Sequence, residues 1–109
     1  MSAPASEAQI IAVGGDLELG GAAPAFAPLF AAAASPDRRP VVLDLSEVAF
    51  VDSTGLRALM EAREAFARGG QRLEIVCPPG GAVATLLALT SLDATLRPHP
   101  DLERALAAV

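Results

Sequence analysis

The sequence has no lysine, no tryptophan and no tyrosine, and only one cysteine and one histidine. Each shortage removes a class of function. Without lysine there is no Walker-type phosphate loop, whose lysine reaches the β- and γ-phosphates. Cys77 alone cannot form an intrachain disulfide. It ends the apolar run Leu73-Glu74-Ile75-Val76-Cys77, so a small buried hydrophobe is expected there, because a reactive thiolate needs an electropositive setting. His99 stands between two prolines. One histidine builds no metal site and has no nucleophile beside it, so it is expected to be a surface loop residue. The only aromatic residues are four phenylalanines, few platforms on which bases could stack. A formal net charge of −5 opposes contact with a phosphate backbone. Long hydrophobic runs are also missing, since none approaches the roughly 18–20 residues of a membrane span. Met1 to Glu7 lacks the basic and apolar regions of a signal peptide. These absences together predict a cytoplasmic protein that touches neither nucleic acid nor membrane directly.

What is present is a chain of 109 residues, 52% of them hydrophobic. That is too apolar for disorder and enough for one core. A single domain over residues 1–109 is expected, with residues 1–8 flexible. Gln9 to Val13 reads as a first strand, followed by a turn-rich stretch through Gly14-Gly15-Asp16-Leu17-Glu18 to Gly21. Ala22 to Ala34 has helical spacing, with Phe26, Leu29, Phe30 and Ala33 on one face. Pro28 does not suit a helix interior, so this helix either starts late, near Ala27, or is kinked.

Val41 to Leu45 reads as a central strand, Ser46-Glu47 as a short break, and Val48 to Val51 as a return to the core. Asp52-Ser53-Thr54-Gly55 carries cap-type residues. A helix follows with Leu56, Leu59, Met60 and Phe66 on its apolar face and Gly69-Gly70 at its end. Arg72 to Cys77 is the next strand, Ala82 to Leu89 the next helix, Ala94 to Arg97 a short fourth strand, and Asp101 the cap of a last helix. This alternation predicts an α/β domain: a small, mixed, mostly parallel sheet of about four strands flanked by about four helices.

Catalytic constellations are missing. Ser53 is not in a Gly-x-Ser-x-Gly elbow and no second histidine could serve as its base. The glycine pairs lack dinucleotide-binding spacing. No enzyme activity, cofactor or metal is expected. The turn at Asp52-Ser53-Thr54-Gly55-Leu56 remains, and helix capping alone would account for its hydroxyls and carboxylate.

The same residues carry a resemblance. The stretch from Val42 to Leu56, Val-Leu-Asp-Leu-Ser-Glu-Val-Ala-Phe-Val-Asp-Ser-Thr-Gly-Leu, resembles the central signature of STAS domains. It is most similar to the bacterial anti-sigma factor antagonists, or anti-anti-sigma factors. Leu86 to Asp93 is similar to the family's helix ending in Thr-Gly-Leu. The likeness runs from about residue 10 to the end. It departs in a shortened N-terminal strand pair, in the glycine-rich order of residues 14–18, and at Pro28.

The resemblance implies a STAS fold and a switch. In such proteins the serine after the aspartate is phosphorylated by an anti-sigma factor serine/threonine kinase. That serine corresponds to Ser53, with Thr54 as second candidate. The unphosphorylated form binds the kinase and frees the sigma factor, and a serine/threonine phosphatase resets it. Partner-binding candidates are Asp16, Glu18, Asp52, Ser53, Thr54, Gly55, Arg57 and Glu61. Asp52 either orders the phosphate chemistry or caps the helix. Gly55 either admits a partner's backbone or relieves crowding in the turn. The alternative is an accessory STAS subunit of a lipid-transporting ABC system, without a phosphoswitch.

Overall fold

The computed structural model describes residues 8–18 and 22–109. The expected flexible leader, residues 1–8, lies outside that range apart from Ala8. The described chain runs β1 (Gln9–Leu17), α1 (Ala22–Ala25), α2 (Ala27–Ala34), β2 (Val41–Val51), α3 (Ser53–Arg68), β3 (Leu73–Val76), α4 (Ala82–Leu89), α5 (Asp93–Leu96) and α6 (Leu102–Ala108). The sheet has the order β1-β2-β3, and both pairings are parallel.

β2 is central, and Val41, Val42 and Leu43 are buried in succession, as expected of a strand covered on both faces. One face carries the main core. Ile11, Val13 and Leu17 of β1 meet Leu43, Leu45 and Val48 of β2 and Ile75 of β3. Above them pack Phe26 and Leu29, then Leu59, Ala62 and Phe66 of α3, and Val83 and Leu87 of α4. On the other face Val42 and Val76 lie under Ala105 of α6, with Leu102, Leu106 and Val109 beside it.

Four details depart from the sequence-based expectation. The glycine-rich segment after Val13 is not a turn, because β1 continues to Leu17. Ser46-Glu47 is no break, because β2 is continuous to Val51. The irregularity takes the form of two register shifts. Ala12 faces Asp44 but Gly14 faces Glu47, and Gly15 faces Val48 but Asp16 faces Phe50. At each shift β2 holds one residue more than β1, which is a β-bulge. Asp44 Oδ1 supports the first bulge by accepting from the Ser46 backbone N–H at 2.9 Å. On β1, Gly15 takes φ +79° beside these shifts, a conformation open to glycine at little cost.

The third departure is the fourth strand. Residues 94–96 belong to the single-turn helix α5, closed by Leu96 N–H to Leu92 O (2.9 Å) and Arg97 N–H to Asp93 O (2.8 Å). The place beside β3 is taken by one residue, His99, which bridges Val76 in parallel. Its N–H donates to Ile75 O (2.8 Å) and its carbonyl accepts from Cys77 N–H (2.9 Å). The described sheet is therefore three-stranded and wholly parallel. The fourth is the helix count. Six helices are described, two of them the four-residue turns α1 and α5.

Pro28 is accommodated by a division of the helix. α1 ends before the buried Phe26, and α2 starts at Ala27 with Pro28 in its first turn, where a missing N–H costs little.

Candidate phosphorylation and partner-binding site

β2 ends at Val51, Asp52 leaves the strand in extended conformation, and α3 begins at Ser53. Asp52 is the cap. Its Oδ1 accepts from the N–H groups of Thr54 (2.9 Å) and Gly55 (3.2 Å), and its carbonyl accepts from Leu56 N–H (3.0 Å). These bonds satisfy donors that a helix start leaves free. Ser53 occupies the first helical position, is exposed, and its hydroxyl makes no hydrogen bond with the described residues. Capping thus accounts for Asp52 and leaves the Ser53 hydroxyl uncommitted. Thr54 is half-buried.

Gly55 is buried and serves the interior. A Cβ there would lie 2.4 Å from Leu17 O, 2.9 Å from Leu17 Cβ and 2.9 Å from Val51 Cγ2. Of the two roles considered for Gly55, relief of crowding in the turn agrees with this packing. The close approach it permits is that of α3 to the ends of β1 and β2.

That approach gathers the site. Leu17 faces Val51 and Asp16 faces Phe50, and Asp52 N–H donates to Leu17 O (3.2 Å). The exposed acids Asp16 and Glu18 therefore sit at the same end of the sheet as Ser53. This is the carboxyl end of parallel strands, where α/β sheets commonly bind ligands. Arg57 and Glu61 lie one and two turns along α3, both exposed, and the described residues offer neither an ion pair.

Sequence reasoning missed Phe50. It was expected to return to the core with Val48, yet it is 48% exposed. The second bulge explains this. Val48 and Val51 face the core while Phe50 pairs with Asp16 on the outer face. An exposed aromatic ring, here beside the exposed Asp16, is of the kind that anchors interfaces. An alternation pattern cannot reveal it, because each bulge inverts the pattern.

The remaining chemistry-bearing residues stand away from this site. Cys77 is buried, and its thiol is pushed from 9.0 up to about 12, first by burial and then by the charge of Asp44. His99 is no plain surface residue. Its side chain is largely covered and its Nε2 lies 2.8 Å from Glu74 Oε1, which corrects the sequence-based expectation. Among the described residues no group of three His, Cys, Asp or Glu side chains could hold a metal, and no helix is long and apolar enough to cross a membrane.

A protein-family model described as "Mlab, STAS domain" matches residues 2–98. The chain is a STAS domain protein. No curated protein matches it. The α/β architecture fits that family, and STAS domains generally engage protein partners.

Proposed function

We propose that this STAS protein is an anti-sigma factor antagonist whose unphosphorylated form binds an anti-sigma factor kinase and frees a sigma factor, and in which phosphorylation of Ser53 abolishes that binding. A serine/threonine phosphatase would restore the binding form. In this reading the chain is a cytoplasmic interaction module, not an enzyme, and needs no cofactor. The observation that carries it is the division of labour at the α3 start. Asp52 holds the helix, so the exposed Ser53 hydroxyl is free to be modified.

The physics of the switch follows. Phosphate adds about −1.5 to −2 charges. The helix dipole favours an anion at this end, but the N–H groups of Thr54 and Gly55 are already engaged by Asp52. The phosphate therefore gains little inside the domain and meets a carboxylate next to it. Its effect falls on the outer surface, where Asp16, Glu18 and Glu61 are exposed. A partner fitted to the neutral hydroxyl loses contact and meets a more negative face.

The test is incubation with the cognate kinase and ATP, followed by mass-spectrometric mapping. One phosphate on Ser53 is expected. No phosphate, or phosphate on Thr54 alone, overturns the assignment.

A second reading is an accessory STAS subunit of a lipid-transporting ABC system, without a phosphoswitch. The description of the matching family, which names Mlab, favours it. In that case the exposed Phe50 would be the constitutive anchor, and Ser53→Asp would leave partner binding unchanged.

A further inference from the structure

A cleft of about 590 Å³ opens between α3, β3, the α5–α6 connection and the end of α6. Its walls hold three of the eight arginines, Arg63, Arg72 and Arg97, together with His99, and a single acid, Glu74. Acids outnumber basic residues thirteen to eight in the whole chain, so a cleft with a local excess of positive charge runs against the composition.

Glu74 does not neutralise the cleft. One of its oxygens faces His99 Nε2 at 2.8 Å and the other faces Arg72 Nη1 at 3.3 Å. Arg72 is further fixed by donating to Ala108 O at 2.8 Å. The guanidinium groups of Arg63 and Arg97 make no hydrogen bond or ion pair with the described residues. Two guanidinium groups thus line a concave surface with their donors unused, while Leu73, Leu96 and Pro98 supply apolar wall. A guanidinium presents a planar fork that matches carboxylate and phosphate oxygens.

We propose that this cleft binds a small oxyanionic ligand, one bearing phosphate or carboxylate groups, held by Arg63 and Arg97 and oriented by the braced Arg72. The site is separate from Ser53. Arg63 lies about 15 Å along α3 from it, and the inference stands whether or not Ser53 is phosphorylated.

The test is a titration of ¹⁵N-labelled full chain with sodium phosphate, pyrophosphate and citrate, each against sodium chloride at matched ionic strength. Saturable shifts are expected at residues 63, 72–74 and 95–99, with residues 52–54 unmoved. Stronger binding of pyrophosphate assigns a phosphoryl ligand, and stronger binding of citrate a carboxylate one. The double variant Arg63→Gln/Arg97→Gln, and the exposed single variant Arg97→Gln as a fold control, should bind the preferred anion at least about tenfold and about threefold more weakly. The inference is overturned if chloride gives the same shifts, if the shifts centre on the start of α3, or if a folded double variant binds as the parent does.

Discussion

Two adjacent residues divide the work at the start of α3. Asp52 supplies the carboxylate that closes the helix end, and Ser53 supplies a hydroxyl that the fold does not use. Both are cap-type residues, so composition alone cannot tell which one caps. Geometry can, because only the residue before the first helical turn reaches the second and third N–H groups. Cys77 is the opposite case, a chemically capable group removed from chemistry. Its raised pKa means that the native state keeps the proton while the unfolded chain gives it up near 9. The resulting stabilisation is complete below pH 9 and is lost as pH rises toward about 12. Denaturant midpoints should therefore fall from pH 9 upward, and a thiol reagent at pH 8 should label Cys77 only after unfolding. Labelling of the native protein at the unfolded rate would contradict its burial.

Among the elements, the helix ends carry the clearest energetic consequences. α3 closes with Gln71 N–H on Phe66 O (2.9 Å) and Gly70 N–H on Ala67 O (3.1 Å), with Gly70 at φ +65°. This is the Schellman arrangement. α4 closes in the same way, with Leu92 N–H on Leu87 O (3.0 Å) and Ser91 N–H on Ala88 O (3.3 Å), but the left-handed position is Ser91, at φ +61°. A side chain there costs roughly 1–2 kcal/mol relative to glycine. Ser91→Gly is expected to stabilise by about 1 kcal/mol, seen as a higher urea midpoint at unchanged slope. Gly55→Ala should act the other way. Its methyl would meet Leu17 and Val51, and overpacking of this kind costs about 1–3 kcal/mol. Thermal unfolding measures it, and a variant as stable as the parent would show that α3 can lift from the sheet freely.

Much of this was legible in the sequence. The span of α4, the cap at Asp101, the interruption that Pro28 imposes on the Ala22 to Ala34 helix and the central place of Val41 to Leu45 follow from spacing and cap chemistry. The nearness of Asp16 and Glu18 to Ser53 was legible only on the condition that β1 lies beside β2, which the pairing meets. The two bulges in β2 were not legible, since they arise from pairing with β1 and leave the apolar pattern merely irregular. They are what turns Phe50 outward. Ala94 to Arg97 was misread because a four-residue segment carries too little periodicity, and buried Leu96 suits strand and helix equally.

For the molecule as a whole, the three parallel strands divide the chemistry by place. Their carboxyl end presents Ser53 among exposed acids and one exposed phenylalanine. The side bordered by β3 holds a cleft rich in arginine. The two faces of the sheet are covered unequally, by α1 to α4 on one side and α6 on the other. In the proposed switch, a covalent change at Ser53 needs no refolding to be read, only a partner that senses charge. The most direct measurement is the affinity of the cognate anti-sigma kinase for the unmodified protein, for Ser53-phosphorylated protein, and for Ser53→Ala and Ser53→Asp. Under the proposed switch, the unmodified protein and Ser53→Ala bind alike, and phosphorylation or Ser53→Asp weakens binding by about 5- to 150-fold. Equal affinities across all four would contradict it.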